Sequence, residues 1–560
     1  MKHRLLALVA FLSFSAALIA GNNTGIEFYK AGMYDAAKQS FLQQSDLSAD
    51  DQVVMHYYMG LIFSKEQNAA SAALEFQKAT ELAPKSPYGY IGQARLVLAT
   101  DAKAGEALLK QAEGLGGKKN AEVLVQIAAA YAANSMFAKA QAALDKAKVA
   151  NQKFVDAYLL EGDMILQQYG VTSEAIGKAI QKYEDADFFS DNTSKLALVK
   201  LAKLYNLMQA QALAMEKINK ALALDSNYLP AYIALGDVKY EQSWYKDAIT
   251  AYEKVITAVP VPVEVSENYA KALYFDKQYQ KSLDEIQKVL QQKPDNATLH
   301  RLEAYNLYEL GQYQEGLQKM QAFMASIPVD KQIYLDFITL GRFNAKLKNF
   351  DAAIANFNKA MTLDPSQADT FKELALVFAA QKQYDESIAM FEKYFSLTPA
   401  VLPSALISFA EVNKNAAIAL FVANRDNAKA LIANQAQFDT YIETGAQAYS
   451  KFIELAPELQ AGWMGRANIY ALVDAYQKEI TGTHGGVARP YYDEALNFML
   501  NNNADGRYNS DIIDSYFYIA GYYIINNNTK SAVEYYKKIL AIDPKNAEVL
   551  KILKQLNIKV

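Results

Sequence analysis

The sequence predicts an all-α fold, a solenoid of about 12 to 14 helical hairpins, and three observations in its 560 residues predict it. Prolines stand at Pro260, Pro294, Pro328, Pro365 and Pro399, in steps of 34, 34, 37 and 34 residues. Small residues keep the same steps at Gly236, Ala270, Ala304, Gly341 and Ala375, and again at Ala248, Ser282, Gly316, Ala353 and Ser387. Four residues after each of the second set comes a large one: Tyr252, Ile286, Met320, Phe357 and Phe391.

Within each period apolar residues recur at three- and four-residue spacing, the pattern of amphipathic helix, and no alternating run is long enough for a strand. The proline ends the second helix, because it lacks an amide hydrogen and disfavours helical geometry in the residue before it. Small positions let two helices approach, and the large residue fills the gap beside them. One hairpin cannot bury its apolar face alone, so such a period implies stacking.

The unit from Tyr334 to Pro365, with Phe337, Leu340, Gly341, Phe350, Ala353, Phe357, Ala360 and Pro365 in place, resembles the tetratricopeptide repeat (TPR). Asn344 and Lys239 depart from that pattern, standing where the family usually has tyrosine. The resemblance implies a right-handed α-α superhelix that binds proteins and is not an enzyme.

Taken in order, residues 1–20 read as a signal peptide: Lys2, His3 and Arg4, an apolar run from Leu5 to Phe14, then small residues. Export to the periplasm is expected, as a soluble chain with no cysteine for lipidation or disulfides and no later stretch fit to span a membrane. Residues 21–226 read as partly degenerate units. The glycine-lysine stretch from Gly114 to Lys119 in that region lacks the residues and the preceding strand of a phosphate-binding loop.

Residues 227–399 form the regular block, and 400–456 an irregular helical insertion or drifted unit. Residues 457–560 return to the pattern, with a loop over 474–486 and a capping helix over 546–560. The segment with Trp463, Arg466, Ala467 and Asn468, then Gly486 to Tyr492, resembles secreted TPR proteins of Bacteroidetes bacteria, which implies an envelope setting.

No catalytic or metal-binding constellation emerges, and no cofactor is expected. His56, His300 and His484 are far apart in the repeat order, and His484 reads as a solvated loop residue. A net charge of −5 without long basic blocks argues against nucleic acid. The function expected is a non-catalytic scaffold that holds a protein or extended peptide; the alternative is a glycan-binding or enzymatic accessory protein using aromatic residues and the C-terminal insertion.

With each unit numbered so that its proline is position 32, the family resemblance places a binding groove at positions 2, 5, 9 and 12 of the first helix. In the regular block this stripe includes Tyr240, Tyr274 and Tyr308, with Lys271, Arg301, Tyr305 and Arg342. The three tyrosines also admit a structural reading, as packing residues displaced by one position.

Overall fold

The structure is a computed structural model that describes residues 21–558 except 46, 117 and 399. The leader expected over 1–20, Pro399 and Lys559 lie outside the described residues. Among the described residues there are 29 α-helices, arranged in consecutive hairpins, and no strand.

The chain divides after Leu310 into two compact units, a boundary that falls inside the regular block. In the first unit eight hairpins run from Gly21–Lys30 with Tyr34–Leu42 (hairpin 1) to Val263–Phe275 with Tyr279–Gln292 (hairpin 8), followed by the helix Ala297–Glu309. Hairpins 5, 6 and 7 are Val155–Tyr169 with Ser173–Phe189, Lys195–Leu207 with Gln211–Leu224, and Leu229–Glu241 with Tyr245–Ile256. The second unit opens with Tyr313–Ser326. It continues through hairpins 9 (Tyr334–Lys346, Phe350–Leu363), 10 (Ala368–Ala380, Tyr384–Leu397), 11 (Pro403–Asn424, Ala428–Leu455), 12 (Gln460–Thr481, Arg489–Asn501) and 13 (Asn509–Ile525, Thr529–Ile542).

Packing inside a hairpin follows from the paired small and large residues. A Cβ placed on Gly341 would lie 2.4 Å from Cε1 of the Phe357 ring, and Gly236 stands in the same relation to Tyr252. The glycines are therefore required by close approach. Where alanine replaces glycine, as at Ala270, the facing residue is Ile286, and both are fully buried in one cluster. Ser282 and Ser387, also fully buried, donate to the carbonyls of Ala270 (2.8 Å) and Ala375 (2.7 Å), so each hydroxyl is satisfied across the pair.

The turn inside most hairpins uses one residue at positive φ, among them Gln209, Ser243, Lys277, Lys348 and Lys382. Several helices begin at an asparagine or serine cap, among them Asn68 and Ser194, whose side chain accepts the amide three residues on.

Within each unit most successive first helices pack on one another, those of hairpins 5 and 6 and of hairpins 12 and 13 less closely, and second helices pack on the first helices around them. Among the described residues no pair of second helices packs comparably. Each unit therefore bends toward its first helices. In the first unit hairpin 1 also reaches well beyond its neighbours: Lys30 Nζ lies 2.5 Å from Asp156 of hairpin 5, and Lys195 Nζ of hairpin 6 lies 3.7 Å from Glu27.

Three expectations need correction. The loop drawn over 474–486 is shorter, because the helix continues to Thr481 and ends at Gly482 (φ 74°). Asp474 thus belongs to the helix, fully buried, and its carboxylate accepts the amides of Val487 (2.8 Å) and Ala488 (2.9 Å) ahead of the next helix. Among the described residues one helix, Pro403–Asn424, is long and apolar enough to cross a membrane. In the described fold its Phe409, Ala410, Val412 and Ala416 are buried in a core shared with Phe438, Ile442 and Tyr449. Finally, the capping helix drawn over 546–560 is shorter, spanning Ala547–Gln555; it seats Val549 and Leu553, four residues apart, while Leu550 stays exposed on its flank.

Candidate binding groove

Positions 2, 5, 9 and 12 recur at helical spacing and so share one stripe of the first helix. In the regular block of the first unit, Tyr240, Tyr274, Tyr308, Lys271, Arg301 and Tyr305 are all half-buried. The rings form a connected series instead of enclosing a cavity. Tyr240 meets Tyr245 (5.8 Å between centroids) and Phe275 (6.3 Å); Tyr245 stacks on Phe275 at 5.0 Å; and Tyr274 meets Phe275, Tyr279 and Tyr305 at 5.4, 5.7 and 6.4 Å.

Burial, with Tyr245 and Glu241 nearby, raises the Tyr240 hydroxyl above the usual tyrosine range, so it stays a neutral donor. Lys271 Nζ lies 3.4 Å from Asn268 Oδ1. Arg342 belongs to the second unit, where its Nε lies 2.8 Å from Glu373. The structure thus brings Tyr240, Tyr274 and Tyr305 into one series.

Sequence reasoning missed a second set on the same stripe. Position 9 is Asp163 in hairpin 5, Lys203 in hairpin 6 and Asp237 in hairpin 7, and Arg95 occupies it in the earlier helix Pro87–Val97. Asp163 Oδ1 accepts the Tyr183 hydroxyl and Lys200 Nζ, both at 2.6 Å. Asp237 Oδ1 likewise accepts the Tyr252 hydroxyl (2.7 Å) and Asn268 Nδ2 (3.2 Å). Each aspartate is therefore fixed through one oxygen by a tyrosine of its own hairpin and a side chain of the next. The signal was available in the sequence: position 9 directly follows the small residue at position 8, here Ala94, Gly162, Ala202 and Gly236.

Two further features lie in the second unit. A recess of about 470 Å³ opens between the helices Tyr384–Leu397, Pro403–Asn424 and Ala428–Leu455, lined by Asp385, Glu392, Asn413, Gln437 and Tyr441 among others. Its one aromatic ring, Tyr441, is buried and donates to Asp385 at 2.5 Å, and burial, reinforced by this contact, pushes its hydroxyl up to about 12. The recess thus holds no stacking platform for a sugar.

His484 is not the solvated residue the sequence suggests. Its side chain is only 11% exposed, wedged between the rings of Tyr518 (5.6 Å) and Tyr522 (5.7 Å), with Nδ1 3.6 Å from Asp474. Burial lowers its pKa, with Asp474 acting in the opposite sense.

Family models for the tetratricopeptide repeat match residues 233–297, 337–367 and 513–546. These segments are tetratricopeptide repeats. The TPR hairpin recurs on both sides of the unit boundary, and the fold is of the TPR interaction-scaffold type. Similar solved structures include the C-terminal part of a TPR repeat-containing protein from Cytophaga hutchinsonii, at 21% identity and TM-score 0.41, covering 50% of this chain and 97% of that one. Another is a tetratricopeptide repeat protein from Parabacteroides merdae, at 16% identity and TM-score 0.31, covering 47% of this chain and 100% of that one. No curated protein matches the chain.

Proposed function

We propose that the protein is a non-catalytic interaction scaffold of the bacterial cell envelope, exported by residues 1–20 and holding an extended segment of a partner protein against its first-helix stripe. The observation that carries this reading is the stripe of the first unit, where bending toward the first helices gathers fixed polar side chains and a series of half-buried tyrosines on one side. An extended chain advances about 3.3 Å per residue, so side chains repeated along such a stripe can be met at regular intervals.

Photo-crosslinking tests it. A crosslinking amino acid at Tyr240, on the stripe, should capture an envelope protein, while one at Lys288, on a second helix, should not. Equal capture from both places would overturn the reading. Export is tested by mass spectrometry of the native protein, which should start between Leu18 and Asn22; an intact Met1 would refute it.

A further inference from the structure

Hairpins 5 to 7 place three charges of alternating sign at the same position of successive first helices: Asp163, Lys203, Asp237. The two aspartates are held alike. In both, Oδ1 carries two donors from the protein, and among the described residues Oδ2 carries none. The Asp163 side chain is 45% exposed. Lys203 is exposed and, among the described residues, makes no hydrogen bond or salt bridge with any other group.

Surrounding helices nevertheless crowd it. They lower its ammonium pKa below the usual lysine range, Asp237 and Asp163 raising it and Lys200 lowering it further. The lysine is therefore a solvent-facing cation in a walled place, with a fixed carboxylate oxygen available on either side. Such a floor presents acceptor, donor, acceptor in sequence.

We propose that this floor selects an extended partner segment in which an acidic side chain is flanked, three residues to either side, by basic ones: Lys203 takes the acid, and Asp163 and Asp237 take the bases. The spacing follows from packed helices about 10 Å apart and a segment in the extended polyproline II form, whose side chains return to the same face every third residue, about 9 Å on. The pattern is its own mirror, so it is met whichever way the segment runs. Charge complementarity in a walled site supplies discrimination more than raw affinity, since the opposite pattern sets like charges against each other at Lys203 and Asp237, Asp163 being already paired with Lys200. The inference rests on the scaffold reading above and adds the chemistry of the partner.

The test is fluorescence anisotropy with the full chain at low salt and three labelled peptides. The matched peptide carries Lys-Ser-Thr-Glu-Ser-Thr-Lys, the reversed one Glu-Ser-Thr-Lys-Ser-Thr-Glu, and the third Lys-Ser-Thr-Lys-Ser-Thr-Lys. The matched peptide should bind about tenfold or more tighter than the reversed one, a difference that shrinks as salt rises. Lys203→Glu should weaken the matched peptide about fivefold or more and bind the third more tightly than wild type does. That gain cannot come from a misfolded chain.

Equal binding of the matched and reversed peptides, no binding of either, or an unchanged ranking in Lys203→Glu would overturn the inference. If crosslinking at Tyr240 still captures a partner, the scaffold reading stands without it.

Discussion

Exchanging the large and small residues of one hairpin tests the packing rule directly. In hairpin 9 the Phe357 ring is fully buried and touches the place where Gly341 has no side chain. Phe357→Ala should cost about 3 to 5 kcal/mol, the lost burial of the ring plus the cavity left behind. Gly341→Leu gains about 0.8 kcal/mol of helix propensity but forces atoms into the ring, at a cost of about 1 to 3 kcal/mol or more. Together the two changes move bulk from one helix to the other across the same gap. The double variant should therefore be more stable than the sum of the single effects by at least about 1 kcal/mol. Hydrogen exchange read by mass spectrometry on peptides from 334–363 measures this locally, without requiring the whole array to unfold at once. Strict additivity would refute the pairing, and so would a Lys359→Ala control, exposed on the second helix, that loses as much protection as Phe357→Ala.

Other outcomes follow from single sites. Gly177, inside the helix Ser173–Phe189, has open space where a Cβ would stand, so Gly177→Ala should stabilise hairpin 5 by about 0.8 to 1 kcal/mol, seen as slower exchange in that segment. Ser387→Ala leaves the buried Ala375 carbonyl without its hydroxyl and should cost about 1 kcal/mol in thermal unfolding. Asp474→Ala strips the acceptor from the Val487 and Ala488 amides and should speed exchange across 482–488, with far less effect on hairpin 9. His484 has a folded pKa lowered by burial, so its contribution is fully present above the ordinary histidine value of about 6.5 and is lost as pH falls below it. Protection of that loop, with exchange rates corrected for their intrinsic pH dependence, should fall as pH drops from about 7.5 to about 5.5, and His484→Phe should flatten the dependence.

The fold was legible in the sequence because its rule is local: small and large residues at fixed spacing state which helices approach and how closely. Gly341 with Phe357 and Ala270 with Ile286 could be paired without coordinates. The groove was legible only where prolines set the register. Hairpins 5 and 6 lack the terminal proline, so Asp163 and Lys203 went unread although the small residues before them carry the same phase. The shortened loop after Thr481 was hidden for another reason: Asp474 looks like a helix breaker until its partners, the amides 13 and 14 residues on, are known. His484 was misread for the same want of distant neighbours, Tyr518 and Tyr522.

Hairpin 1 alters how the first unit comes together. In a stacked array each repeat ordinarily depends only on its neighbours, so order can begin anywhere and spread. The contact of Lys30 with Asp156 joins residues 126 positions apart, and that of Glu27 with Lys195 reaches further still. During synthesis the first hairpin emerges well before the residues it must meet, and it waits through four more hairpins for them. Loop closure of that length slows a folding step, so hairpin 1, made before its partners, is fastened only once hairpins 5 and 6 have formed, and damage to either should be felt in hairpin 1.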